Sequence, residues 1–216
     1  MKFSSQFLFA VLFSSALSAP TAALARQAQG QSGFYPLTPL VSAEKDGLIF
    51  MREEEKLAHD LYNALAQRWN QQVVFVNISS SEQSHFDALG SLLSKYALPD
   101  PALSPSGIFR DPNLQAMYDD LLSQGNASIP AALTVGGMVE EVDIQDLAVA
   151  ISTTNHVDLQ QTYAALQCGS RNHLRAFARN LELLGVAYEA QILPEEQITQ
   201  ILNTAMEQCG RNSSRL

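Results

Sequence analysis

The chain has 216 residues, 46% of them hydrophobic, 8% aromatic and 16% charged, which excludes a disordered or collagen-like protein and suffices for a substantial core. It carries 13 basic against 22 acidic residues, a net charge of −9. Nucleic acid is therefore not expected as a partner, because binding it needs cations against phosphate.

Residues 1–25 read as a signal peptide. Lys2 is followed by the apolar run Phe7–Phe13, by small residues, and by an A-x-A cleavage pattern at Ala23-Leu24-Ala25. Ser14, Ser15 and Ser18 interrupt the run, which falls short of the roughly 20 apolar residues of a membrane span. No stable membrane anchor is expected. The mature chain would begin at Arg26 in a periplasmic or extracellular compartment. There, the two cysteines, Cys168 and Cys209, are expected to be bonded. Such a bridge would close a loop of about 40 residues and contribute roughly 3–4 kcal/mol. Two buried free thiols are the other reading, and neither reading suits a zinc ribbon or a disulfide-dense scaffold.

Residues 26–41 read as a linker rich in Gln, Gly, Ser and Pro. From Ser42, the residues Leu48, Met51, Ala58, Tyr62, Leu65 and Trp69 recur at helical spacing, with Glu55 in the same stripe. Asn70-Gln71-Gln72 ends this first helix. A second helix is predicted from about Asn77 to Ala97, after a short apolar stretch Val73–Val76. Its stripe is Ile78, Glu82, His85, Leu89, Leu92 and Tyr96. Residues 98–111 carry Pro99, Pro101, Pro105 and Gly107 and read as loop. Asp111-Pro112 opens a short helix through Leu122, which Gly125 terminates. A further helix starts at Ser128-Ile129-Pro130 and runs to about Ile151. The next runs from His156 or Val157 to Leu184, with Gly185 behind it. Its stripe is Leu159, Leu166, Ser170, His173, Phe177 and Leu181. A last helix follows Pro194 and ends near Gln208, so the domain is placed at 42–208 and a tail at 209–216. No segment alternates for long enough to be a strand. The expected fold is all-α, a four-helix bundle with one long crossover that carries a short helix, plus a short C-terminal helix.

Polar residues on the inward stripes carry the chemistry. They are Glu55, Glu82 with His85, Glu140, and His173, one set from each long helix. Glu82-x-x-His85 places a carboxylate and an imidazole on one helix face, one turn apart. Each half of the chain gives a carboxylate helix followed by a histidine helix, at similar separations. This order matches the di-iron or di-manganese carboxylate arrangement of helical bundles.

The strings MREEEKLAHDLY, NISSSEQSHFDAL, GGMVEEVDIQDL and GSRNHLRAF resemble the rubrerythrin branch of the ferritin-like superfamily. More closely, the chain resembles an exported ferritin-like family known only as a domain of unknown function. The resemblance covers roughly residues 42–204. It implies a ferritin-like bundle, iron or manganese as cofactor (one or two ions), and redox chemistry with O₂ or peroxide. It also implies Glu55, Glu82, His85, Glu140, His173 and, one turn after Glu140, Asp143 as the ligand set. One departure stands out, because Ser170 occupies the slot where the second Glu-x-x-His has its carboxylate. Glu141, Asp143 and Glu54 are the candidates to replace it; with fewer donors, the His173 half would bind metal less tightly, or the site would hold a single ion.

Each residue also has a plainer reading. Ser79-x-x-Glu82 fits a capping box. Glu53-Glu54-Glu55 fits a solvated charge run, and His59 and His156 fit the surface. Gly136-Gly137 inside a helix costs about 1 kcal/mol per glycine relative to alanine, which fits either tight packing or room beside a metal. Two classes of function remain open. One is a secreted enzyme acting on O₂, peroxide or Fe²⁺. The other is a non-catalytic helical domain that stores or delivers metal, or binds a partner. No haem-attachment motif, glycine-rich nucleotide loop or nucleophile elbow is present.

Overall fold

A computed structural model describes residues 38–70 and 72–210. The signal peptide read at 1–25, most of the linker read at 26–41, and the last six residues lie outside the described residues. The described residues form six helices and no strand: α1 (Ser42–Arg68), α2 (Val73–Lys95), α3 (Pro112–Gly125), α4 (Ile129–Thr153), α5 (Val157–Leu183) and α6 (Glu195–Leu202). No helix among them is long and apolar enough to cross a membrane.

The helix starts follow local capping chemistry. Asp111 accepts from the backbone N–H of Asn113 at 2.7 Å, with Pro112 in the first turn of α3. Ser128 accepts from the Ala131 N–H at 3.2 Å and opens α4. Gly185, at φ +75°, ends α5 in the left-handed conformation. Two boundaries differ from the sequence expectation by four residues or more. Helix α2 begins at Val73, four residues before Asn77, because Val74 and Phe75 are buried in the core and packing overrides the weak helix propensity of valine. Helix α6 stops at Leu202 and not near Gln208. The segment beyond it is held against α5, where Arg171 Nε and Arg175 Nη2 each donate to Glu207 Oε1 at 2.8 Å. Cys168 of α5 and Cys209 are bonded there, with Cα atoms 5.6 Å apart.

Helices α1 and α2 pack together, as do α4 and α5; contacts of α1 with α4 and of α2 with α5 close the ring. Two apolar layers fill its interior. One contains Leu57, Ala58, Tyr62, Phe75, Ile78, Val139 and Phe177. The other contains Leu48, Met51, Leu89, Leu147 and Leu166. On each long helix the polar stripe residues fall between the two layers, as Glu55 falls between Met51 and Ala58 and His173 between Leu166 and Phe177. The sequence thus places one polar stratum in an otherwise apolar core.

The charged face of α1 is buried rather than solvated, which corrects the charge-run reading. Arg52, Glu53, Glu54, Glu55, Lys56 and Asp60 are all buried. Four of them hold the connection between α2 and α3. Arg52 Nη2 pairs with Asp100 at 2.7 Å. Glu53 accepts from the Arg110 N–H at 2.6 Å. Lys56 donates to Pro105 O at 3.0 Å, and Asp60 accepts from the Gly107 N–H at 2.9 Å. The glycines of α4 answer to packing. A Cβ at Gly136 would stand 2.6 Å from the Phe177 ring, and one at Gly137 2.3 Å from Tyr188.

Candidate metal centre

Glu82 lies at the middle of the polar stratum. Its Oε2 is 2.8 Å from His85 Nδ1, and its Oε1 is 2.7 Å from His173 Nδ1. Each imidazole faces a second carboxylate, since Glu55 Oε2 is 3.3 Å from His85 Nδ1 and Glu140 Oε2 is 3.4 Å from His173 Nδ1. The four long helices therefore converge on two triads that share Glu82. Glu55, Glu82 and His85 bring ligand atoms within 4.8 Å of one another, as do Glu82, Glu140 and His173. The two rings are stacked at 5.5 Å. The capping-box reading of Glu82 fails, because α2 starts at Val73 and Ser79 turns its hydroxyl back to Val76 O.

These atoms are close, but they are not hydrogen-bonded to one another. Both Nδ1 atoms, Glu55 Oε1, Glu82 Oε1 and Asp143 Oδ1 are buried without an aligned hydrogen-bond partner. Buried polar atoms are normally paired, so donors that crowd to 2.7 Å and miss the bonding angle point toward a common centre. The other edges of the site are fixed. His173 Nε2 meets Ser81 Oγ at 2.9 Å, and Tyr62 donates to Glu140 Oε1 at 2.7 Å. Gly169 makes room for His85, because a Cβ there would stand 2.6 Å from His85 Nε2.

Ser170 is fully buried, and its hydroxyl donates to Asp143 Oδ2. Asp143 therefore stands against Ser170 with its other oxygen unpartnered. With Glu54, Glu55, Glu82 and Glu140 it lines a cavity of about 10 Å³. Glu141, the other candidate on α4, is committed elsewhere. It accepts from Tyr188 Oη and from the N–H groups of Ile192 and Leu193, the latter two at 2.7 Å. His59 and His156 are partly buried rather than superficial, and neither reaches the site. His59 pairs with Asp60 at 2.9 Å, and Tyr96 Oη lies 3.3 Å from His156. Asp146 stands one turn beyond Asp143 on α4, and the i, i+3 spacing from Asp143 is the only sequence signal that sets it apart.

The electrostatics follow from crowding like charges away from water. Burial, then Asp146 and Asp143, push the Glu54 carboxyl well above the usual range. Burial, then Asp143, do the same to Glu55. Burial, then Glu140, raise Asp143 to about 8. Burial would raise Glu82 too, but His173 and His85 together hold it well below the usual carboxylate range. Burial opposes the charged imidazole of His173, yet Glu82 and Glu140 raise it to about 10. An excess of buried carboxylates that keeps its protons by default is a donor set suited to divalent cations.

Residues 44–205 match the model of a family described as an uncharacterized protein domain, DUF2202. The chain belongs to the DUF2202 family. It is similar to the uncharacterized protein MJ0754 of Methanocaldococcus jannaschii, at 43% identity over 173 residues, 80% of this chain and 93% of that protein. A crystal structure of the hypothetical protein MJ0754 aligns with a TM-score of 0.77 at 41% identity, covering 81% of this chain and 100% of that one. Within DUF2202, the functional reading of this chain rests on the geometry of the Glu82 centre.

Proposed function

We propose that this DUF2202 protein is a ferritin-like metalloprotein. In this reading, α1, α2, α4 and α5 form the four-helix bundle, α3 rides on its long crossover, and the core holds two iron or manganese ions. The observation that carries it is the pair of triads sharing Glu82, with their Nδ1 atoms and carboxylate oxygens buried and unaligned. Glu55 and His85 would hold one ion, Glu140 and His173 the other, with Glu82 between them and Asp143 in the place left by Ser170. Four carboxylates against two divalent ions is a neutral balance, which removes the repulsion that burial otherwise imposes. Oxygen and imidazole donors without thiolate suit iron or manganese. When bound, such ions supply one-electron chemistry toward O₂, peroxide or Fe²⁺.

The chain's own residues orient the donors. With a metal in place of the Nδ1 proton, His173 would keep its Nε2 proton and share it with Ser81, 2.9 Å away, which orients the ring. Tyr62 fixes one oxygen of Glu140 and leaves the other facing His173. The cavity among the carboxylates is about 10 Å³, roughly the room that one water needs. We also infer from the leader pattern that the protein acts outside the cytoplasm; purified mature protein should begin at Arg26, and an intact N-terminus would oppose this.

Metal analysis after reconstitution with Fe²⁺ or Mn²⁺ tests the reading. Two ions per chain are expected, bound more tightly than millimolar; no binding at that level would overturn it. Consumption of O₂ or peroxide by the loaded protein would make it an enzyme. Binding without turnover would make it a metal store or carrier.

A further inference from the structure

Glu54 takes no part in the two triads, yet it is 3% exposed and both its carboxylate oxygens are buried without a partner. It lines the same cavity as Glu55 and Asp143. The titratable groups that bear most on it are acids: Asp146, Asp143 and Glu55. The cations nearby in sequence are spent elsewhere, Arg52 on Asp100 and Lys56 on Asp60. Asp146 is only partly buried and neighbours Glu54 as a second acid, bringing it no counter-charge. Carboxylates thus succeed one another from the protein surface inward, Asp146, then Glu54, then Asp143 and Glu55 across the cavity. Acids buried together without a counter-charge resist ionising side by side, and a passing divalent cation supplies the charge that they lack.

We propose that Asp146 and Glu54 form an outer carboxylate site that takes a divalent cation from solvent and passes it through the cavity to Asp143 and Glu55. The proposal rests on the reading of the Glu82 triads as a metal centre. Two carboxylates are too few to hold such an ion for long, and water completes its coordination. The ion exchanges waters for carboxylate oxygens as it moves inward, and no electron or covalent bond is transferred. The cavity volume, about 10 Å³, admits one ion or one water at a time.

Stopped-flow uptake of Mn²⁺ by the metal-free full chain tests this, together with chelator competition for stoichiometry and affinity. The variants are Glu54→Gln, Asp146→Asn and, as an exposed control on α2, Asp87→Asn. Both route variants are expected to reach the wild-type stoichiometry, but on the order of 10-fold more slowly, as lost electrostatic guidance implies. Asp87→Asn should load at the wild-type rate. Circular dichroism should show all three folded. Wild-type uptake rates in both route variants would overturn the proposal. Loss of one bound equivalent in Glu54→Gln would also overturn it, by making Glu54 a ligand of the centre. A wild-type chain that binds no Mn²⁺ would overturn the metal centre itself, and the route with it.

Discussion

Glu82 gives one oxygen to each imidazole, so the two halves of the site depend on a single side chain. Glu82→Ala is expected to abolish binding of both ions, whereas His85→Ala and His173→Ala should each leave at most one, as counted by metal analysis. Comparable losses from the two histidine variants are expected, because each triad has one imidazole, one terminal glutamate and the shared carboxylate. Ser170→Glu should not raise affinity, since Asp143 already stands against Ser170, and a longer acid there would compete with it. A tighter second site in that variant would show that Asp143 does not fill the slot. Gly169→Ala would press its Cβ on His85, 2.6 Å from Nε2. It should weaken metal binding by roughly 10–100-fold, the usual cost of disturbing a ligand's support, in a titration monitored by chelator competition.

The helices themselves rest on contacts away from the Glu82 triads. Gly136 lets α4 approach the Phe177 ring of α5, where a Cβ would stand at 2.6 Å. Gly136→Ala should therefore destabilise the fold by about 1–3 kcal/mol, the cost of overpacking, despite alanine's better helix propensity. Urea unfolding measures this, and a stabilised variant would refute the packing argument. The bond between Cys168 and Cys209 anchors the segment after α6 to α5. Replacing both cysteines with alanine should cost about 2–4 kcal/mol, mainly through a freer unfolded chain. Metal stoichiometry should be unchanged, because neither cysteine belongs to the Glu82 triads.

The whole molecule adds its titrations together. Asp143, at about 8, keeps its proton in the folded metal-free chain after the unfolded chain has released it near 4. Glu54, Glu55 and Glu140 are displaced in the same direction, each first by burial. Their contribution is therefore complete at about pH 4 and is lost as pH rises toward 8. His173, raised to about 10, contributes fully below about 6.5 and loses that contribution as pH rises through 10. Both slopes have the same sign. Metal-free protein should accordingly melt at a lower temperature at pH 9 than at pH 5. Glu82, displaced downward, opposes this only below about pH 4. Saturating Mn²⁺ should reverse the order, because metal competes with protons for the same atoms and adds about 4 kcal/mol at a thousandfold excess over Kd. Melting curves at the two pH values, with and without Mn²⁺, check both statements.

The amino-acid sequence by itself determined the helices and the residues of the polar stratum. Helical periodicity and capping are local, so the stripe through Glu55, Ala58 and Tyr62, the caps at Asp111 and Ser128, and the Glu82-x-x-His85 spacing are legible without a fold. Each local signal translates directly into a helix face, which is why five ligand candidates could be named from spacing alone. Other features depend on which surfaces meet. The run Val73–Val76 became the first turn of α2 only because Phe75 found a core. Glu53, Glu54 and Glu55 look alike in the chain, yet the first caps a loop, the second is left unpaired and the third joins a triad. Glu141 and Asp143 of α4 could each stand in for the carboxylate missing at Ser170, until the 189–193 segment claimed the first and Ser170 turned to the second. Such choices are settled by partners distant in sequence, and no period within one helix encodes them; only the closing of α1, α2, α4 and α5 around a common core decided them.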